Sequence, residues 1–156
     1  MEAMKKLKIQ TGENNSILRT KSVEVRKFDT ALKTFAKVMK ATMAANKGLG
    51  LAAPQVGENI RMVLLTLNYD QDEEKVMVMV NPVITEFSGE MELGEEGCLS
   101  LPGIYEKVER HAGLTVEFFN VEGARQILSL SGLDAREVQH ETDHLDGVLF
   151  IDRVKT

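Results

Sequence analysis

Residues 139–147 read QHETDHLDG, with His140 and His144 four apart and Glu141 directly after the first. On a helix, residues four apart share one face, so both imidazoles can meet one ion. Glu141 then points beside that ion and can hydrogen-bond a water held there rather than ligate the metal. Metal hydrolases use this arrangement to activate water. On five positions alone, the bland reading of two unrelated histidines stays open. A catalytic site needs a third protein donor. His111 is the only other histidine, and methionine is a weak ligand. The only cysteine, Cys98, sits in GEEGCLSLPG, where Gly94, Gly97, Pro102 and Gly103 would shape a turn or strand end. A lone cysteine is by default a small buried hydrophobe. Beside a histidine pair lacking a partner, its thiolate becomes the candidate ligand, because sulfur binds divalent transition metals strongly. Two imidazoles and one thiolate leave a coordination position for water, the mark of a catalytic rather than a closed structural site.

These side chains need a scaffold. The ligand helix is predicted to begin at Ser131, whose hydroxyl caps the first turn while Asp134 reaches back. Leu133, Val138, Glu141 and Leu145 then follow at helical intervals. Residues 26–46 carry apolar groups at Phe28, Leu32, Phe35, Val38, Met39 and Met43, predicting a second, amphipathic helix. GLGLAAPQVG (48–57) is glycine-punctuated and apolar, and Pro54 argues against continuing the helix. It lacks the Lys-Ser/Thr of a phosphate loop and follows a helix, which excludes nucleotide binding. Its glycines suit close backbone approach to a peptide. RMVLLTL (61–67), VMVMV (76–80), LTVEFF (114–119) and RQILSL (125–130) read as strands, with VMVMV buried on both sides. Residues 68–75 read as an exposed turn. Residues 83–96 read as mixed, with Gly89 and Gly94 breaking any period. The pattern predicts an α+β fold of short, mostly antiparallel strands around the C-terminal HExxH helix; it does not order the strands.

A chain of 156 residues without linker or repeat predicts one domain, 1–156. The net charge of −5 argues against a nucleic-acid surface. No apolar run is long enough for a membrane span, and the basic start MEAMKKLKIQ lacks the apolar core of a secretory signal. A single cysteine forms no internal disulfide, which fits a reducing compartment. Glu92, Glu95 and Glu96 read as an acidic cluster that either repels bulk anions or is only a solvated surface, and His111 as an exposed histidine beside Arg110.

GLGLAAPQ (48–55), EGCLSLP (96–102) and QHETDHLDG (139–147) resemble, in order, the three signature segments of peptide deformylases. The resemblance implies that family's α+β fold and removal of the N-terminal formyl group from formyl-methionyl nascent polypeptides. It implies one divalent metal, commonly iron(II), with nickel, cobalt or zinc as substitutes. Cys98, His140 and His144 match the ligands, and Glu141 the general base and acid that serves a metal-bound water. Gln55 and the Leu99 N–H match the groups that bind the oxyanion. Gly50 matches the glycine whose backbone receives the substrate, with Leu49 and Leu133 beside an apolar pocket of methionine size. Glu96 and Arg110 match a salt-bridged pair behind the metal segment. A bacterial-type cytoplasm with transient ribosome contact is the implied setting, and a mature organellar form fits the same residues. Two features depart. Tyr105 stands where many bacterial members carry arginine. The sequence ends at Thr156, where some members continue into a longer helix, so a ribosome-docking role for that helix does not carry over. The rival readings are a metallopeptidase or other amidase using HExxH, and a metal-binding module without turnover.

Overall fold

The computed structural model describes residues 7–155. The elements are α1 (Ser16–Arg19), α2 (Thr30–Ala45), β1 (Gly50–Ala52), a 3-10 turn (Ala53–Val56), β2 (Met62–Leu67), β3 (Lys75–Phe87), β4 (Met91–Cys98), β5 (Leu101–His111), β6 (Gly113–Phe119), β7 (Arg125–Ser131), α3 (Gly132–Leu145) and a second 3-10 turn (Phe150–Arg153). Five strands form one antiparallel sheet in the order β1-β2-β3-β6-β7, and β4 and β5 pair separately. This is the α+β architecture anticipated from the pattern.

Alternation along β2 shows why its residues are apolar at every position. Val63, Leu65 and Leu67 join the core shared with α3, whereas Met62 and Leu64 join the core shared with α2. A strand covered by a helix on each face has no solvent side to spend polar residues on. VMVMV behaves the same way: Met77 and Met79 face the α3 core, and Val76, Val78 and Val80 the α2 core. Met79 and Val80 are fully buried and the other three half-buried.

The preceding helix does not continue into residues 48–57, which hold a short strand and a 3-10 turn. Three local expectations are corrected. Helix α2 starts at Thr30 rather than near residue 26, because the Asp29 carboxylate accepts the Leu32 N–H at 2.9 Å and caps it there. Residues 83–96 are mostly strand, not mixed: β3 runs through Phe87 and β4 occupies 91–98. Gly94 does not break β4; it makes room, since a Cβ there would lie 2.9 Å from the Arg136 guanidinium. Ser131 occupies the N-cap of α3, yet its side chain makes no capping bond. Asp134 instead accepts the Asn68 N–H at 3.1 Å and ties the helix to the end of β2.

The other end of α3 is a Schellman stop. The Val148 N–H bonds the Asp143 carbonyl and the Gly147 N–H the His144 carbonyl, at 2.9 and 3.2 Å. Gly147 is left-handed at φ +74°, and a Cβ on it would lie 2.5 Å from the Arg19 carbonyl oxygen. The final glycine of QHETDHLDG therefore ends the ligand helix.

Candidate metal centre

Three parts of the chain converge. Helix α3 buries Ala135, Val138 and Leu145 in the sheet core, which turns His140, Glu141 and His144 toward the β4–β5 hairpin. Cys98 ends β4 after a bulge, opposite Leu101 in the hairpin. Beta-strand 1 and the 3-10 turn bring Gly50 and Gln55. The Sγ of Cys98 and one nitrogen each of His140 and His144 lie within 4.8 Å of one another. Cys98 Sγ and His144 Nε2 are 3.4 Å apart.

The second nitrogen of His140 is already committed. Its Nδ1 lies 2.9 Å from Glu96 Oε1, which leaves Nε2 to face the cluster. Glu96 is itself clamped. Arg110 donates to both its oxygens at 2.9 Å, and Arg136 Nη1 donates at 2.6 Å. Burial alone would push the Glu96 carboxyl upward, but Arg110 and His140 outweigh it and hold it well below the usual carboxylate range. Glu96 is thus a buried ionised anchor, not a member of a solvated acidic cluster. Arg110 extends the chain to Asp143 on α3 at 2.7 Å. His111 is half-buried rather than exposed: its Nδ1 lies 2.8 Å from the Ser88 carbonyl, and its ring packs 4.4 Å from that of Phe87.

The two histidines differ electrostatically. Burial, then the charges of His140 and Arg110, keeps the His144 pKa well below that of an ordinary histidine, so its lone pair is free. For His140, burial also acts downward, yet the Glu141 charge and the hydrogen bonds with Cys98 and Glu96 raise it well above the ordinary value. Surroundings that favour a proton on His140 also favour a metal cation in that proton's place. Glu141 is buried, and its Oε1 has no hydrogen-bond partner. Its carboxyl is pushed up to about 8, first by burial and then by the charges of Glu137 and Glu96, with His140 opposing. An imidazole–imidazole–thiolate donor set beside an orphaned buried carboxylate fits a divalent ion with a catalytic role.

Gln55 is oriented from both ends. Its Oε1 accepts the Ala52 N–H at 2.9 Å, so its Nε2 donates to Ser100 Oγ at 3.1 Å and to Cys98 Sγ at 3.4 Å. A cleft of about 340 Å³ opens over this group, lined by Leu49, Gly50, Gln55, Cys98, Leu99, Leu133, His140 and Glu141 among others. Of the three ligand candidates, His144 alone is absent from the lining of the cleft, and it is buried.

Three contributors escaped the sequence reading, Arg136, Ser100 and Glu137, and Tyr105, noted there only as a departure from the family's arginine, joins them in the cleft. Arg136 joins Glu96 to the Val108 and Glu92 carbonyls across the hairpin. Ser100 holds the Gln55 amide. Tyr105 lies against Gly97, where a Cβ would sit 2.7 Å from its ring, and so walls the cleft. Glu137 also lines the cleft; burial raises its carboxyl, with the charge of His140 opposing and that of Glu96 adding. Glu137 alone had a signal in the sequence, its place midway between Leu133 and Glu141 at four-residue spacing.

A family model described as polypeptide deformylase matches residues 6–156. The peptide deformylase of Thermosynechococcus vestitus is 44% identical over 139 residues, covering 89% of this chain and 74% of that protein. The crystal structure of peptide deformylase from Thermotoga maritima superposes with a TM-score of 0.91 at 38% identity, covering 97% of this chain and 99% of that one. A class I type b peptide deformylase from Acinetobacter baumannii with Met-Ala-Ser bound gives 0.89 at 36% identity, over 97% and 100% of the two chains. With the fold, the Cys/His cluster and these relatives in agreement, the chain belongs to the peptide deformylase family, metal-dependent hydrolases that remove the N-terminal formyl group from nascent polypeptides.

Proposed function

We propose that Cys98, His140 and His144 hold the ion, that iron(II) is the native metal with nickel, cobalt or zinc as substitutes, and that residues 1–156 work as one catalytic domain. The observation that carries this reading is the approach of the three donor atoms to within 4.8 Å beside the partnerless Glu141 Oε1. When bound, a divalent ion supplies Lewis-acid polarisation and acidifies water. Everything else falls to side chains and backbone. Water adds to the formyl carbon as the Glu141 carboxylate takes its proton. Negative charge gathers on the formyl oxygen, where Gln55 Nε2 and the Leu99 N–H donate to it. The N–H···S contact to Cys98 is the weaker of the two Gln55 bonds, and it is the one exchanged for the oxyanion. Glu141 returns the proton to the leaving amine. The Glu96 network keeps the His140 ring in place throughout.

Formyl-methionyl peptides fit the cleft, with Gly50 against their backbone and Leu49 and Leu133 beside the first side chain. Among the described residues no helix is long and apolar enough to cross a membrane. A bacterial-type cytoplasm with transient ribosome contact is the setting in which such substrates arise. Turnover of formyl-Met-Ala-Ser, with metal content measured on the same anaerobically prepared sample, tests the reading. Release of formate in proportion to bound metal is expected, and a fully metallated protein that leaves the substrate intact would sink it.

A further inference from the structure

Two acidic groups in the cleft lining are left unused by the reaction above: Glu95, which is exposed on β4, and Glu137, which is half-buried on the ligand helix. Leu133, Glu137 and Glu141 succeed one another at intervals of four along α3, so they form one stripe with about 6 Å of axial rise between neighbours. All three line the cleft. Glu141 stands at the metal-ligand end, its Oε2 4.0 Å from His140 Nε2. Leu133 stands at the outer end, 44% exposed. Glu137 lies between them, facing β1. A Cβ built on Gly50 would lie 2.5 Å from Glu141 Oε2 and 3.1 Å from Glu137 Oε2, so both carboxylates converge on the same stretch of backbone.

A peptide whose formyl group sits at Glu141 must place its first side chain within about one helical turn of that point. A side chain of methionine length reaches roughly 5 Å beyond its Cα, which brings its outer half beside Glu137. A hydrocarbon chain there strips water from a carboxylate and returns no partner. A chain ending in a donor or a cation restores one with a charge-assisted bond.

We propose that Glu137 is a specificity-determining residue, which makes one wall of the first side-chain pocket anionic and extends acceptance from methionine to first residues ending in a cationic or hydrogen-bond-donating group. The inference rests on the substrate assignment above. Formyl-Lys-Ala-Ser and formyl-norleucyl-Ala-Ser isolate it, because the two first residues share a four-carbon stem and lysine adds the ammonium. The measurement is the ratio of kcat/KM for these two peptides in metal-loaded wild type, Glu137→Gln and Glu137→Leu. The lysine-to-norleucine ratio should fall at least about tenfold in both variants, the factor a single charge-assisted hydrogen bond commonly supplies. Competition by the deformylated products Lys-Ala-Ser and norleucyl-Ala-Ser, an equilibrium readout, should show the same fall. A merely structural role would weaken both peptides alike and leave both ratios unchanged; ratios within twofold of wild type overturn the proposal. Formyl-Met-Ala-Ser runs alongside. Wild type that cleaves it while the ratios stay fixed refutes Glu137 alone, whereas wild type that fails to cleave it refutes the substrate assignment and the Glu137 proposal together.

Discussion

Removing the charge from Glu96 should loosen the metal centre without touching any ligand atom. The carboxylate is 6% exposed and its principal partner Arg110 is 4% exposed. It receives two bonds from Arg110, one from Arg136 and one from His140. Glutamine keeps one acceptor oxygen but turns an NH₂ toward an arginine donor, so at least one of these contacts becomes donor against donor. Breaking a buried pair from one side typically costs about 3–5 kcal/mol. Arg110 retains Asp143 at 2.7 Å and Arg136 retains the Val108 carbonyl at 2.9 Å. Those remaining partners place the loss at the low end, near 3 kcal/mol. For a domain of this size that is a fall of roughly 1–2 M in the urea midpoint. Freeing His140 Nδ1 should also weaken metal binding by about 10–100-fold. Urea unfolding of the metal-free Glu96→Gln protein separates the first effect, and competition against a chelator of known affinity measures the second. A midpoint within about 0.3 M of wild type (no more than about a third of the expected fall) together with unchanged metal affinity would refute the reasoning, since Glu96 would then anchor neither fold nor ligand.

Glu141→Gln should keep its metal yet lose deformylation by about 100-fold or more, because an amide cannot take the water's proton; near-normal turnover in fully metallated variant would end the general-base assignment. Gly147→Ala forces a Cβ into left-handed backbone and against the Arg19 carbonyl. It should cost about 2 kcal/mol or more and lower Tm by at least about 4 °C, and an unchanged melting curve would show that the stop of α3 tolerates a side chain. Asp152 has its pKa lowered first by its hydrogen bond with Arg19, with burial opposing and the Leu149 N–H adding. Its contribution is therefore full above the unfolded value near 4 and fades as pH falls through the lower folded one. At 37% side-chain exposure the effect is small, but the gap between wild type and Asp152→Asn in urea should narrow below about pH 4; a gap that widens there reverses the sign. Iron-loaded protein should lose activity in air with a mass increase on Cys98, whereas zinc-loaded protein should not, because zinc has no redox chemistry; equal decay of both metal forms contradicts this.

The sequence by itself determined what is local. Two histidines and a glutamate at helical spacing had to share one face, and alternating or unbroken apolar runs had to be strands between covers. Even the stripe Leu133–Glu137–Glu141 was there to read, although a glutamate on a helix is by default a solvated one, and only the approach of β1 through Gly50 made it a cleft residue. Cys98 could be chosen as a ligand only by elimination, since no period links it to α3; the family resemblance supplied its role, and the tertiary fold supplied its distance. What only the tertiary structure decided are contacts between segments remote in sequence. Strand β4 was invisible because Gly94, which reads as a breaker, serves to admit Arg136. Composition read Glu96 as one of several surface acids while the family resemblance paired it with Arg110; the fold keeps that pair and adds Arg136 and His140. Ser131 and Asp134 carried the signature of a local cap, yet Asp134 found a better partner in the Asn68 N–H, so a tertiary hydrogen bond displaced the local one. In each case the sequence shows a group's chemical capacity, and its partner is set by which distant groups the sheet and α3 bring within hydrogen-bond reach.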